Sequence, residues 1–387
     1  MAQAILAFDA HPADRATGFE LGRDHARHAL TPPLDHLAPG SPLRQGWEAG
    51  RASFGARTLA PTRHVRMWLH LRLSAWRRGH AFEDVQVTPN YLRQIDVAHC
   101  PITRQTLTHR SGGSSDACID RVRSDAGYAA GNLAVMSTRA SLAKGRSGFD
   151  EVLSLMRLAE AEAPGLCDLA ATGPDALGGL AAAEWARIAV LCSFVTPLPH
   201  EQAAGLPLPV LPPNRLRLFN SIQALQALVT QQFGRPGWSG RVARIEDFLP
   251  GSPVRRDFQV FVHALLPRVL EAGRPADEQA MRWALEDAWH NPLVLRCWKR
   301  FARQLSAVQA ERIVLRASAL RLGTQTAQPL THAQATEGWA LEHGGYSVAP
   351  SGRVAIAAKT SPPPRSAPVQ LALSACAAAT TVANARR

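Results

Sequence analysis

The chain has 387 residues, of which 46% are hydrophobic and 19% charged. That is ample for a buried core in two or three domains and excludes both a miniprotein and wholesale disorder. The 43 Lys and Arg against 31 Asp and Glu leave a formal charge of +12, which favours an anionic partner such as nucleic acid, although a GC-rich coding bias toward Arg, Ala, Gly and Pro gives the same balance.

Along the chain, Ala13 to Leu30 places its apolar and small residues at helical spacing, and Thr31-Pro32-Pro33 ends that helix because proline removes a donor and restricts its predecessor. A second helix is predicted over Pro42 to Phe54. A third follows Pro61, with Val65, Trp68, Leu69, Leu71, Leu73 and Trp76 on its packed side and Arg63, Arg66, Arg72, Arg77 and Arg78 between them. Pro89 to Val97 reads as a short helix or strand, and His99 to Asp116 as turns. Within the turns, Ser111-Gly112-Gly113-Ser114-Ser115 has nothing to bury and reads as an exposed loop. Then come a strand (Ala117 to Val122), a Gly-containing connection (Arg123 to Gly131), a strand (Asn132 to Met136) and a helix (Ser137 to Lys144).

Gly145 to Gly148 is expected to cap and hinge the chain before a helix over Phe149 to Ala163. Pro164 to Leu180 is a Gly-, Ala- and Pro-rich linker. Beyond it the pattern gives amphipathic helices at Ala181 to Phe194, Arg217 to Phe233, Val254 to Ala272, Asp277 to Trp289, Pro292 to Leu305 and Ala307 to Leu320. The Pro-rich Thr196 to Asn214 is either a surface excursion or a lid. From about Ser351, Pro362-Pro363-Pro364 and small polar residues predict disorder.

Six cysteines (Cys100, Cys118, Cys167, Cys192, Cys297, Cys376) are scattered with no C-x-x-C pair, which argues against a disulfide framework or a zinc ribbon. His99, Cys100, His109 and Cys118 lack the close spacing of a tetrahedral site. Met1 to His11 carries Asp9 and His11 in place of a basic stretch followed by an apolar run, and no segment reaches 18 uninterrupted apolar residues. The expectation is a reducing cytoplasmic address and no membrane partner.

The most informative segment runs from Cys100-Pro101-Ile102-Thr103 through Ala117-Cys118-Ile119-Asp120-Arg121 and Gly127-Tyr128 to Gly131-Asn132-Leu133 and Lys144. It resembles the HNH endonuclease family, in the subgroup whose first strand reads Asp-Arg where others read Asp-His. The resemblance covers about residues 100–144 and implies a ββα-metal finger with an acid on the first strand, an Asn at the head of the second and a His or Asn on the helix. Asp120 takes the acid position and is the candidate metal ligand; Asn132 would pin the connecting loop and keep that ligand oriented. Ser141 stands at the helical ligand position and is a weaker ligand than His or Asn. Arg121 stands where an active member has its general base, and a guanidinium stays protonated at physiological pH. Asp120, Arg121 and Asn132 are thus the candidate catalytic positions, and Asp120 with Ser141 the candidate metal pair. If the finger is active, the implied cofactor is Mg²⁺ or Mn²⁺; if not, none. His99 or His109 would have to replace the missing base.

With hydrolysis impaired, binding remains. Arg121, Arg123, Arg139, Lys144 and Arg146 lie in or beside the finger and are candidate phosphate contacts, against the plain alternative of a solvated basic face. A second, shorter likeness joins Gly18-Phe19-Glu20-Leu21-Gly22, Pro32-Pro33 and Leu43 to Gly50. It is similar to the two-helix pattern of ribosome modulation factor and implies contact with ribosomal RNA, while close crossing at the glycines, anchored by Trp47, explains the same residues structurally. In the distal helices, Trp283, Trp289 and Trp298 read as core, and Glu286, Asp287 and His290 as a solvated face.

The expected architecture is α+β: a helical N-terminal region (1–88), an HNH-like ββα finger (89–148), a helix and linker (149–180), an all-helical domain (181–345) and a disordered tail (346–387). The expected function is nucleic-acid binding, DNA in preference to RNA, through a degenerate HNH-like finger. The alternatives are an active divalent-metal-dependent nuclease and a ribosome-associated or scaffolding protein.

Overall fold

The computed structural model describes residues 12–161, 177–273, 275–323, 325–347 and 370–375. They form an α+β structure, mainly helical, in two units. The first unit draws its described residues from 12–96, 125–130 and 338–347, and the second takes the rest.

In the first unit, α1 (Pro12–Arg27) and α2 (Pro42–Phe54) cross closely. The crossing depends on glycine: a methyl group on Gly22 would run into the Leu43 carbonyl and one on Gly46 into the Phe19 carbonyl. Trp47 donates its Nε1–H to the Leu30 carbonyl at 3.0 Å and so fixes the end of the hairpin. Thr62 accepts from the Val65 amide at 3.3 Å to start α3 (Arg63–Arg77). Thr88 and the following Pro89 likewise start α4 (Pro89–Ile95), so the ambiguous Pro89 to Val97 segment resolves as helix. Leu21, Leu43, Val65, Leu69 and Leu73 form the core of this unit.

Arg72 departs from the basic-helix expectation because it faces inward. It is 6% exposed, pairs with Asp24 at 2.5 Å and Asp84 at 2.9 Å, and lies over the Trp68 ring. Paired and stacked, the guanidinium is tolerable in the interior and does not contribute to a surface field.

In the second unit, β1 (Ala117–Arg121) pairs antiparallel with β2 (Leu133–Ser137), with Asp120 opposite Ala134. Ser137 ends β2 and caps α5 (Thr138–Lys144), its hydroxyl accepting from the Ala140 amide. Then follow α6 (Phe149–Ala161), α7 (Ala182–Phe194), α8 (His200–Gly205), β3 (Arg217–Leu218), α9 (Ser221–Gln232), α10 (Trp238–Glu246), α11 (Gly251–Leu270), α12 (Glu278–Asp287), α13 (Pro292–Ala302), α14 (Ala307–Ala319), β4 (Gln325–Leu330), α15 (His332–Ala335) and β5 (Gln370–Ala375). Strand β5 lies between β3 and β4, antiparallel to both.

Several expectations change here. Residues 196–214 are neither an excursion nor a lid: α8 forms inside them, and Leu208, Val210 and Leu211 are buried. Proline shapes this segment without exposing it. The helix expected from Arg217 starts only at Ser221, because Asn220 turns the chain: its side chain donates to the Ser193 and Thr196 carbonyls and accepts from the Leu198 amide. Helix α10 was not anticipated, and the region expected to be all-helical contributes two strands, β3 and β4, to a sheet. Pro329 is compatible with β4 because that strand is at the sheet edge. Most of the linker at 164–180 and of the tail at 346–387 lies outside the described residues. Within the tail, residues 370–375 form β5.

Trp289 and Trp298 are core residues, packed with Phe258, Phe261 and Phe301. No described helix is long and apolar enough to cross a membrane.

Candidate functional site

The second unit brings together Asp120 on β1, Asn132 at the head of β2, and Ser141 and Lys144 on α5. Ser141 and Lys144 are one helical turn apart and share a face. Ser141 donates its hydroxyl to Asp120 Oδ1 at 3.3 Å, and Lys144 Nζ stands 2.9 Å from Asp120 Oδ2. The same ammonium donates to the Arg121 carbonyl at 2.9 Å and to Ser124 Oγ at 3.0 Å. Lys144 is 1% exposed. The ammonium thus makes two hydrogen bonds and one ion pair.

Asn132 is fully buried. Its Oδ1 accepts from the Arg123 amide at 2.8 Å, its Nδ2 donates to the Arg123 carbonyl at 3.1 Å, and its own carbonyl accepts from the Val122 amide at 2.8 Å. One side chain therefore satisfies both main-chain groups of Arg123 and fixes the chain leaving β1, as a side-chain amide with one donor and one acceptor end can.

This geometry tests whether a divalent ion fits. The oxygens of Asp120, Arg121 and Ser124 surround Lys144 Nζ at 2.9–3.0 Å, whereas Mg²⁺ needs oxygens at about 2.0–2.1 Å and Ca²⁺ six or more at about 2.3–2.6 Å. The place opposite the Asp120 carboxylate is taken by the chain's own cation. The donor set does not fit a divalent metal. Among the described residues no three His, Cys, Asp or Glu side chains converge in a manner able to hold a metal.

The two sulfurs of the considered tetrahedral set are engaged otherwise. Cys100 Sγ accepts from the Ser137 and Thr103 amides at 3.2 and 3.4 Å, which shapes the turn at Pro101–Arg104 and ties it to the start of α5. The Cys118 thiol faces Ser141 Oγ at 3.6 Å. His99 packs edge-on against Trp283, and His109 is exposed. Beneath the site, the Cys192 thiol on α7 reaches the Val122 carbonyl at 3.6 Å, and burial pushes its pKa up to about 11 despite the nearby Lys144. It is a neutral thiol and not a nucleophile.

The expected phosphate contacts divide. Lys144 is inside the fold, paired with Asp120, and Arg139 is held by Glu184 on α7. These two leave the set, because a buried or carboxylate-paired cation does not present itself to a phosphate. Arg121 and Arg123 are half-buried and Arg146 is exposed. They remain at the surface of the site.

Sequence reasoning missed three features. Ser124, a ligand of the Lys144 ammonium, lies in the connection and carries no spacing signal. Asp116 organises the Ser- and Gly-rich loop: its carboxylate accepts from Thr108 and Ser111 hydroxyls and from the Ser111 and Gly112 amides, which holds its pKa well below the usual carboxylate range. Glu286, expected on a solvated face, is buried with Arg282 at 3.1 Å and Arg104 at 3.4 Å and accepts from the Leu211 amide. Arg104 also grips Asp287 with two nitrogens, at 2.9 and 2.7 Å, so the turn after Cys100 is fastened to α12. The one available signal was Lys144 itself, placed three residues after Ser141 and thus on the face turned toward Asp120 and not toward solvent.

No family model matches this chain, and neither a curated protein nor a solved structure matches it. Its class is that of an α+β, mainly helical protein.

Proposed function

We propose that this chain is a nucleic-acid-binding protein, with DNA preferred over RNA, and that residues 100–144 act as an HNH-like finger that does not hydrolyse phosphodiesters. The observation that carries this reading is the Lys144 ammonium held 2.9 Å from Asp120. The carboxylate that would serve a catalytic metal instead serves a structural ion pair, and Arg121 follows it where a base is needed. Support for the finger comes from the antiparallel pair β1–β2 running directly into α5, with Asn132 securing the connection. Arg121, Arg123 and Arg146 would meet phosphates, giving affinity that falls steeply with salt and carries little sequence information. We place the protein in the cytoplasm, in keeping with the free thiols of Cys100, Cys118, Cys192 and Cys297.

The test is a salt titration of binding to duplex DNA and to RNA, with wild type and with Arg121→Ala/Arg123→Ala. Removing two phosphate contacts lowers the slope of log K against log salt by about 1.8 on duplex DNA. Equal slopes for the two proteins overturn the assignment of these arginines. Salt-insensitive or absent binding to both nucleic acids overturns the function. Plasmid nicking with Mg²⁺ or Mn²⁺ that is lost in Asp120→Ala overturns the non-hydrolytic reading. Co-sedimentation with ribosomes without binding to free DNA favours the ribosome-associated alternative, for which the close α1–α2 crossing at Gly22 and Gly46 supplies the two-helix element.

A further inference from the structure

We infer that the ε-ammonium of Lys144 is the resident cation of the Asp120 site: a tethered ion that performs the organising work which the finger reading would otherwise give to a divalent metal. Three features carry this. The side chain is wholly buried, and burying a lone ammonium is so costly that it persists only where partners compensate it. Its partners are the Asp120 carboxylate, an ion pair at 2.9 Å, and two hydrogen-bond acceptors, the Arg121 carbonyl at 2.9 Å and the Ser124 hydroxyl at 3.0 Å. These partners come from β1 and from the connection that follows it, while the ammonium itself comes from α5, so a single charge joins the strand, the turn and the helix.

Two consequences follow. The cage is sized for nitrogen: oxygens at 2.9–3.0 Å from a common centre are too far apart for Mg²⁺, which holds its ligands at about 2.0–2.1 Å. The site is also closed, since an ammonium has no open position at which to activate water, whereas a catalytic metal keeps one. The finger is therefore folded and ready to bind without any added metal, and a cage emptied of its ammonium accepts a small organic ammonium in preference to a divalent ion.

The experiment reads thermal unfolding of the full chain. Lys144→Ala removes everything beyond Cβ, which corresponds to n-propylammonium. The expected results are a melting temperature about 10 °C below wild type, recovery of at least half of that loss with n-propylammonium chloride, and no recovery with 1-propanol, MgCl₂ or MnCl₂. Wild type, treated with chelator and then titrated with Mg²⁺ or Mn²⁺, is expected to show no saturable stabilisation. An unchanged melting temperature in Lys144→Ala overturns the inference, as does rescue by Mg²⁺ or Mn²⁺ equal to that by propylammonium, or saturable stabilisation of wild type by either metal.

If Lys144→Ala does not fold, the length-matched Lys144→Met is compared with Asp120→Asn/Lys144→Met. The double variant is expected to be the more stable, because its acid no longer stands uncompensated; equal or lower stability overturns the inference. The role given to Lys144 takes its contrast with a metal from the finger reading. Because the readout is folding, its failure and a failure of nucleic-acid binding are separate results.

Discussion

Asn132 and Arg123 form a closed pair in which one side-chain amide satisfies both main-chain groups of the other residue, at 2.8 Å to its N–H and 3.1 Å to its carbonyl. The chain turns away from β1 at this point, and no regular ladder is available to pair Arg123. Asn132→Ala removes both bonds and leaves the part-buried main-chain donor and acceptor of Arg123 without their partner, so a loss of about 1–3 kcal/mol is expected in urea unfolding. Asn132→Asp keeps an acceptor for the amide but sets a carboxylate oxygen against the Arg123 carbonyl. Its stability should be no better than that of the alanine variant at neutral pH.

Two glycines give opposite expectations for the same substitution. A Cβ on Gly46 collides with the main chain of Phe19, whereas one on Gly240, inside α10, has nothing within 4 Å. Gly46→Ala is expected to cost at least about 1–3 kcal/mol by forcing α1 and α2 apart. Gly240→Ala is expected to add about 0.5–1 kcal/mol by removing backbone freedom from the unfolded chain. Thermal denaturation of the two variants beside wild type tests both signs.

Acid sensitivity is expected from His25. The ring is buried and its Nδ1–H donates to the Leu21 carbonyl at 2.8 Å; burial lowers its pKa below the ordinary 6.5, outweighing the opposing pull of that bond and of Asp24. Below pH 6.5 the unfolded chain takes up the proton first. The contribution is therefore complete above pH 6.5 and is lost as pH falls toward the folded-state pKa. Urea midpoints measured across this window should decline on acidification, and His25→Gln should flatten the decline. An equal slope in the variant would assign the effect elsewhere.

The exposed loop before β1 depends on Asp116. Its two carboxylate oxygens accept from Thr108, from Ser111 twice and from Gly112. Asp116→Ala should speed amide hydrogen exchange at Ser111 and Gly112 while leaving the protection of β1 and β2 near its wild-type level. Unchanged exchange at those two amides would show that the loop is held by other contacts.

Much of this structure was legible where a single local rule decides it. Pro42, Pro89 and Pro292 each open a helix, and α2 and α13 begin where the sequence placed them. The two strands and the helix after them were readable from apolar runs broken by Gly131 and capped by Ser137. Less was legible where the outcome depends on distant partners. Nothing near Glu286 in sequence announces that Arg104 will meet it from 182 residues away, so a charged stretch that looks solvated becomes an interior network. Lys144 was misread for the same reason, since a lysine among arginines looks like surface until Asp120, Ser124 and the Arg121 carbonyl are seen around it. Strand β5 was lost among small residues because its order comes from β3 and β4 and not from its own composition.

The connection between β1 and β2 also governs how the chain can be made and divided. Residues 125–130 belong to the first unit, as do residues 338–347, which emerge roughly two hundred positions later. No single cut releases either unit intact, so fragments bounded at the linker after α6 should be poor surrogates for the whole. During synthesis at about 5–20 residues per second, the first unit waits on the order of 10–40 s for its last piece. Until then the first unit lacks the segment that carries the fully buried Trp339, so its packing is completed only late in synthesis.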